Sequence, residues 1–276
     1  ACHAADRAFA VPACSHPDFV EELLRISRDF GVDLVVPTID PELAPLAGAL
    51  DRFQAIGARV HVSPPAVIDV VRDKHRTAMV LDEAGVPVPR TVSLEVGRDM
   101  SSRSDWPMFL KPSAGSASRG IRIVHSTEDL PVRPEEPMIL QQLLAGPEFT
   151  VNMFIDRGGR LRSAIAHRRI RVRAGEVEKG RTERDPLFWN LAEGVARALP
   201  AARGVLCFQV IFDHRLGPRV FEINARFGGG YPLAHHAGAE YARWLLEEVA
   251  GLPSTAHDDW RSGVLMLRYD AAIFEG

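Results

Sequence analysis

Glu222, Asn224 and Arg226 stand at every second position of "FEINARFGGG" (221–230), and the run dissolves into three glycines. Alternate residues of a strand share a face. The spacing therefore lines up a carboxylate, an amide and a guanidinium, and turns Phe221, Ile223 and Ala225 the other way, toward a core. The preceding run "CFQVIFD" (207–213) connects through "DHRLGP" (213–218), a hairpin loop centred between residues 215 and 216. Symmetric antiparallel pairing about that centre sets Gln209 across from Glu222 and Cys207 across from Asn224, and a slip of one residue would turn a whole side-chain set over. Gln209, Glu222 and Asn224 then gather hard oxygens of the kind that suit Mg²⁺, which takes about six, usually including water and substrate phosphate. One carboxylate with two amides is too weak a cage to hold the ion without a polyphosphate. The same alternation also suits the solvent-facing side of an edge hairpin, and the hairpin alone does not choose between the two.

A second candidate is "FLKPSAGSASRGIRIV" (109–124), where Lys111 ends a strand and a Ser/Gly/Ala loop leads into the next. Small residues let backbone N–H groups approach phosphate oxygens closely. A lysine about 4 Å from a phosphate charge gains roughly 4 kcal/mol at an effective dielectric near 20. The loop fits neither G-x-x-x-x-G-K-[ST] nor G-x-G-x-x-G, and no helix follows it, so those phosphate motifs are excluded. A flexible hairpin tip is the plain alternative. "ILQQLLAGPEF" (139–149) adds an apolar strand that turns into Glu148, a pattern able to offer backbone edges to adenine and a carboxylate to ribose; an ordinary β-turn reads the same way.

The elements that position these groups fall into two styles. In the first third, short apolar runs at 8–12, 32–38 and 59–63 alternate with helical stretches at 17–31 and 41–57, the first carrying Phe19, Leu23, Ile26 and Phe30 on one stripe. That alternation implies a parallel sheet. Two further helical stretches lie in 63–89, and the polar run 97–105 reads as a loop. The middle changes to strands with tight connections at 107–113, 121–126, 138–144 and 148–156, which suits an antiparallel sheet. A strand at 161–175, a helix over 185–199, the hairpin 205–227 and a helix near 237–250 complete the chain, with Trp189 and Trp244 expected in the core.

Composition narrows the function classes. With 33 Lys+Arg against 36 Asp+Glu, a formal charge of −3, the 276 residues make no electrostatic case for nucleic acid. No apolar run approaches the roughly 18 residues of a membrane span. No G-x-S-x-G elbow or Cys/His signature points to a protein nucleophile. Cys2, Cys14 and Cys207 have no metal-type spacing and read as reduced thiols of a cytoplasmic protein. His235 and His236 are adjacent and fit a helix start or substrate rim better than a metal pair.

Taken in order, "RDKHRTAMVLDEAGVPVP", "FLKPSAGSASRGIRIV", "QQLLAGPEFTV", "RIRVRAGEVEKG", "FQVIFD" and "FEINARFGGG" resemble the ATP-grasp superfamily, specifically the branch similar to the synthetase domains of the carbamoyl-phosphate synthase large subunit. The resemblance implies an α/β unit over 1–72 with a parallel sheet. An α+β ATP-grasp fold follows over 73–276, its two antiparallel-sheet lobes at about 107–145 and 146–276 with a nucleotide cleft between them. It puts Lys74 and Lys111 on the nucleotide phosphates. Ser113, Gly115, Ser116, Ser118 and Gly120 fall in a lid over 113–120, Gln142, Leu143 and Leu144 line an adenine hinge, and Glu148 meets ribose. Gln209, Glu222 and Asn224 become ligands of two Mg²⁺ ions, with Mn²⁺ as a substitute, and Arg226 neutralises charge on the transferred phosphoryl group. Arg169, Arg171 and Arg173 share a strand face by period two, which suits a solvated basic edge; the resemblance instead takes Arg171, with Lys179, to the phosphate or carboxylate end of the cleft.

The reaction implied is ATP-dependent joining of a small carboxylate to an amine through an acyl phosphate, with ADP and phosphate released. Phosphorylation of bicarbonate or carbamate, and a non-catalytic ATP-binding regulatory module, are the alternatives. The family's leading unit normally opens with a further strand and glycine turn. Here the chain starts after that unit, in "ACHAADRAF", and an oligomer contact (a homodimer in the simplest case) or an omitted segment would cover the apolar edge.

Overall fold

The computed structural model describes residues 5–100, 106–115 and 120–272. It has the expected plan: a small parallel α/β unit followed by two antiparallel sheets. In the first unit β1 (Leu34–Val35) and β2 (Arg59–Val60) pair in parallel, surrounded by α1 (Phe19–Asp29), α2 (Asp40–Ala47), α3 (Leu50–Ala55) and α4 (Pro65–Val71). Three local expectations change here. Residues 8–12 form no strand; Phe9 instead packs on Phe30, ring centroids 4.7 Å apart. Phe30 is exposed because it is the C-cap of α1, past the last turn, where helical periodicity no longer sets direction; Phe19, Leu24 and Ile26 carry the buried face. The expected helix over 41–57 is two helices, broken around Gly48 and Ala49 after Pro45.

α5 (Lys74–Glu83) leads into the smaller antiparallel sheet. Its strands β3 (Thr91–Ser93), β4 (Met108–Pro112), β5 (Arg122–Val124) and β6 (Met138–Gln142) lie in the order β3-β6-β4-β5, with α6 (Leu94–Arg98) against them over Leu94, Met108, Leu110 and Leu140. The larger sheet holds β7 (Glu148–Ile155), β8 (Leu161–Arg173), β9 (Glu176–Thr182), β10 (Gly204–Asp213), β11 (Gly217–Asn224) and a strand not anticipated from sequence, β12 (Leu265–Leu267), in the order β11-β10-β7-β8-β9-β12.

Both faces of the larger sheet are used. Val151, Met153, Ala164, Leu206, Phe208 and Ile223 point into a core that continues through α7 (Pro186–Ala198) to Leu43, Phe53 and Ile68 of the first unit. On the other face Phe154, Ile165 and Val205 are covered by α8 (Tyr231–His236) and α9 (Tyr241–Val249) through Tyr241 and Trp244. That cover protects only one end of the face, and the strands run on beyond it. Trp244 is core, as expected, whereas Trp189 is half-buried at the core's margin. Among the described residues no helix is long and apolar enough to cross a membrane.

The two sheets are linked by residues 143–147, and the tip of the β10–β11 hairpin pins this link. Ala145 N–H donates to Asp213 Oδ2 at 2.8 Å, His214 N–H to the Ala145 carbonyl at 3.0 Å, and Phe212 N–H to the Pro147 carbonyl at 3.0 Å. N–H groups of Ala145, Arg215 and Leu216 hold the Asp213 carboxyl down at about 2. A side chain at Gly146 would run into the Phe212 carbonyl. Because backbone cannot yield as a flexible side chain can, Gly146→Ala is expected to destabilise the protein by about 1–3 kcal/mol, read as a loss of several degrees in Tm; an unchanged Tm would mean the link is not held this way.

Candidate active site

The site is built on the end of the larger sheet that α8 and α9 leave open. Register places Gln209 opposite Glu222 on one side and Thr150 on the other, and Thr150 opposite His167. The next row is Asn224, Cys207 and Asn152. Polar side chains therefore run in two ranks across the strands, and the sequence-derived pairings of Gln209 with Glu222 and Cys207 with Asn224 are those observed.

The hairpin reaches that register by a route the sequence did not disclose. At its tip Asp213 pairs with Gly217 and Val210 with Val220, one residue short of the symmetric arrangement, and a bulge between Gln209 and Val210 restores it. Phe221 is the extra residue, and the bulge turns it out of the core. Val220, Ile223 and Ala225 are buried in the core instead, while Phe221 presents its ring to Lys111 Nζ at 5.7 Å.

Lys111 arrives from the smaller sheet. It is 7% exposed, and its ammonium donates to Gln141 Oε1 at 2.7 Å, with Gln141 Nε2 in turn donating to Thr91 Oγ1 at 2.9 Å. Burial lowers its pKa to about 8; Glu222 opposes that shift and Lys74 adds to it. Lys74 opens α5 and donates to the Gly115 carbonyl at 2.7 Å. The N-cap of that helix, Asp73, accepts from the backbone N–H groups of His75 and Arg76 and from Ser113 Oγ at 2.9 Å. The Ser113 N–H donates to the Pro137 carbonyl and its own carbonyl accepts from Lys74 N–H, so Ser113 knots the loop to the helix. Gly115 and Gly120 both have positive φ, 98° and 67°. Ser116 and Ser118 lie outside the described residues.

Gln142 ends β6, its N–H donating to the Arg90 carbonyl at 2.8 Å, and Leu143 and Leu144 lie half-buried in the link. Glu148 starts β7 and pairs with Arg169 at 2.8 Å; burial raises its pKa, Arg169 opposes that, and Glu222 adds to it. Arg169 also donates to Thr150 Oγ1 at 3.2 Å and to the Gly175 carbonyl at 2.9 Å. This departs from the basic face expected of Arg169, Arg171 and Arg173. Bulges at 169–172 separate them, sending Arg169 inward while Arg171 and Arg173 pair with Glu178 on the outside. Arg171 and Lys179 are cross-strand neighbours, both exposed, with no hydrogen bond to the polar ranks.

Arg226 is the most constrained group. Its Nε donates to Asp40 Oδ1 at 3.0 Å and one terminal nitrogen to Asp40 Oδ2 at 2.8 Å and Asn224 Oδ1 at 3.3 Å, while the other donates to the Phe227 carbonyl at 2.9 Å. Burial works against its charge, but the Asp40 hydrogen bonds and charge outweigh that and raise its pKa. Glu222 has no ion-pair partner among the described residues; its one hydrogen bond is from Asn224 Nδ2 at 3.5 Å. Asp40, Lys74, Gly115, Glu222 and Asn224 line one cleft. Among the described residues no cluster of three His, Cys, Asp or Glu could hold a metal; Gln209, Glu222 and Asn224 bring a carboxylate and two amide oxygens together, donors of the kind a hard cation takes.

The glycines after Arg226 have neighbours that explain them. A side chain at Gly228 would meet Cys207 Sγ at 2.9 Å, one at Gly230 would meet His167 Nε2 at 2.5 Å, and one at Gly229 would strike the Glu176 carboxylate. Burial holds His167 neutral, its pKa near 3, and pushes the Cys207 thiol to about 12, so Cys207 carries no thiolate at neutral pH. Asp40, Asp73, Phe221 and Arg169 escaped sequence reasoning: the first belongs to the other unit, the second is a helix cap, and the last two are re-aimed by bulges.

Residues 71–230, more than half of the chain, match the family described as ATP-grasp domain, and residues 1–61 match the PylC-like N-terminal domain. The chain belongs to the ATP-grasp family. Among curated relatives, the carbamoyl phosphate synthase large chain of Rubrobacter xylanophilus is 31% identical over 139 residues, 46% of this chain but 13% of that one. Two solved structures share the fold. A biotin carboxylase from Campylobacter jejuni superposes with TM-score 0.77 at 16% identity, covering 96% of this chain and 65% of that one. An L-amino acid ligase from Bacillus licheniformis gives TM-score 0.67 at 18% identity, covering 93% and 66%. The ATP-grasp chain described here thus spans a small part of its carbamoyl phosphate synthase relative and just under two thirds of these structural neighbours.

Lys111 supplies a pH test. Its ammonium is charged below about pH 8 and neutral above. Affinity for a non-hydrolysable Mg·ATP analogue is therefore expected to fall as pH rises through that value, and Lys111→Met should weaken binding tenfold or more near pH 7 and flatten the profile. Calorimetric titration reads both; parent-like binding by the variant would remove Lys111 from the phosphates.

Proposed function

We propose that the protein is an ATP- and Mg²⁺-dependent ligase that joins a small carboxylate to an amine through an acyl phosphate, releasing ADP and phosphate. The observation that carries this reading is the unpaired Glu222 carboxylate, in rank with Gln209 and Asn224, on a sheet face confronted by the buried Lys111. Membership of the ATP-grasp family supports it, as does similarity to an L-amino acid ligase and to a biotin carboxylase solved as a β-γ-ATP complex.

In this reading Gln209, Glu222 and Asn224 would hold the divalent ions, two in number, which would supply neutralisation of phosphate charge. Lys111 and Lys74 would place the phosphates, with Ser113 and Gly115 beside them. Gln142, Leu143 and Leu144 receive adenine, and Glu148 the ribose. Arg226 faces the transferred phosphoryl group. Arg171 and Lys179, on the exposed end of β8 and β9, would act on the far rim of the substrate and not on the phosphates. The rate gain comes from positioning and from fixed charges aimed at the spreading phosphate charge, with no protein nucleophile, in keeping with the protonated Cys207 thiol.

An ADP-release screen over amino acids and other small carboxylates, paired with amines, tests the reaction. At least one pair should give turnover that needs both partners. Glu222→Gln is expected to abolish that turnover with Tm within a few degrees of the parent, since the side chain is only half-buried. Full turnover in the variant would overturn the metal assignment, and ADP release that needs no amine would favour simple phosphorylation.

A further inference from the structure

We infer that Asp40, supplied by the N-terminal α/β unit, is a positioning residue that fixes the Arg226 guanidinium over the metal and phosphate face. The inference rests on the reading of function above. Asp40 is the first residue of α2 and stands 186 positions before Arg226 in sequence, yet the two side chains meet fork to fork, at 3.0 and 2.8 Å, with 22% and 14% of their surfaces exposed. Such bidentate pairs fix the guanidinium plane as well as its place.

Counting donors shows how far the clamp goes. Of the five N–H groups of Arg226, one on Nε and one on a terminal nitrogen go to Asp40, one goes to Asn224 Oδ1 and one to the Phe227 carbonyl. A single N–H, on the nitrogen bonded to Phe227, is left over. Arg226 is thus held on three sides, and its remaining donor has one direction in which to point. Because Asn224 is bonded to both Arg226 and Glu222, the orientation set by Asp40 passes to the oxygen set itself. Asp40 lines the same cleft as Lys74, Glu222 and Asn224.

A contrary role is open to the same geometry: the Asp40 carboxylate could occupy the place on Arg226 that an anionic substrate takes, and would then leave on binding. The two roles predict opposite signs. As a clamp, Asp40→Asn in the full chain lowers kcat for the acid–amine pair found by the screen at least tenfold, while the Kd of a non-hydrolysable Mg·ATP analogue stays within twofold and the KM of the acid within threefold. Asp40→Glu, which keeps the charge and the fork, restores part of the loss. In an Arg226→Lys background, where no fork exists, adding Asp40→Asn costs less than threefold. A fall in the acid's KM at unchanged kcat, an equal loss in the lysine background, or no effect at all would each overturn the clamp. The Arg226 Nε–H resonance reads the clamp without turnover: slow to exchange in the parent and fast in Asp40→Asn. Fast exchange in the parent overturns the inference whatever becomes of the ligase reading, whereas absent turnover with a protected signal counts against the ligase reading alone.

Discussion

The pairing of Gln209 with Glu222 is the constraint on which the rest of the site depends. Strand side chains alternate strictly, so a one-residue shift in the β10–β11 ladder would exchange the oxygen set for Val210, Ile223 and Ala225 and bury polar atoms in their place. Two things hold the register against that shift. Val220, Ile223 and Ala225 are committed to the core on one face. At the hairpin tip, Asp213 accepts N–H groups from Ala145, Arg215 and Leu216, which fixes where the turn begins. The bulge between them takes up the single residue by which tip and site differ, and places Phe221 where an alternating strand could not.

The same tip ties the two sheets together, so register and cleft are not independent. Ala145, bonded to both Asp213 and His214, belongs to the link that carries the chain from β6 to β7. The smaller sheet brings Lys111 down on Phe221, and burial there pushes its ammonium pKa down to about 8. A cation that Glu222 alone does not compensate has an incentive to receive an anion. That is an electrostatic reason for a polyphosphate to close the cleft.

Much of this was legible in the sequence because it rests on local periodicity. Alternation in 219–227 was enough to put Glu222 and Asn224 on one face, and the switch from helix–strand alternation to closely spaced strands located the passage from parallel to antiparallel sheets; symmetric pairing about 213–218 reached Gln209 against Glu222 only because an unforeseen bulge offsets the one residue by which the tip departs from symmetry. What failed had non-local causes. Phe221 and Arg169 left their expected faces through bulges, which insert a residue without leaving a composition signal. Phe30 satisfied a helical stripe but lay past the helix end. Asp40 is one of two acidic residues in "TIDPEL", and nothing nearby tells it from Glu42; only the fold brings it to Arg226.

Charge counting gives the site its sense. Asp40 with Arg226 and Glu148 with Arg169 are internally neutral pairs, so they orient groups without adding net field. Lys74, Lys111 and Glu222 remain unneutralised by any ion pair among the described residues. Two cations facing one carboxylate repel a bare divalent ion and attract a polyanion; in the proposed reading a metal-bound triphosphate would answer both, with the lysines taking phosphate and Glu222 the ion. The proposed chemistry follows from that imbalance, since a ligand lacking either half leaves a buried charge without a partner. The glycines finish the arrangement on the other flank. Gly228 to Gly230 carry no side chain where Cys207, Glu176 and His167 pack against their backbone, so the run beyond Arg226 sits flush on the two polar ranks of the larger sheet.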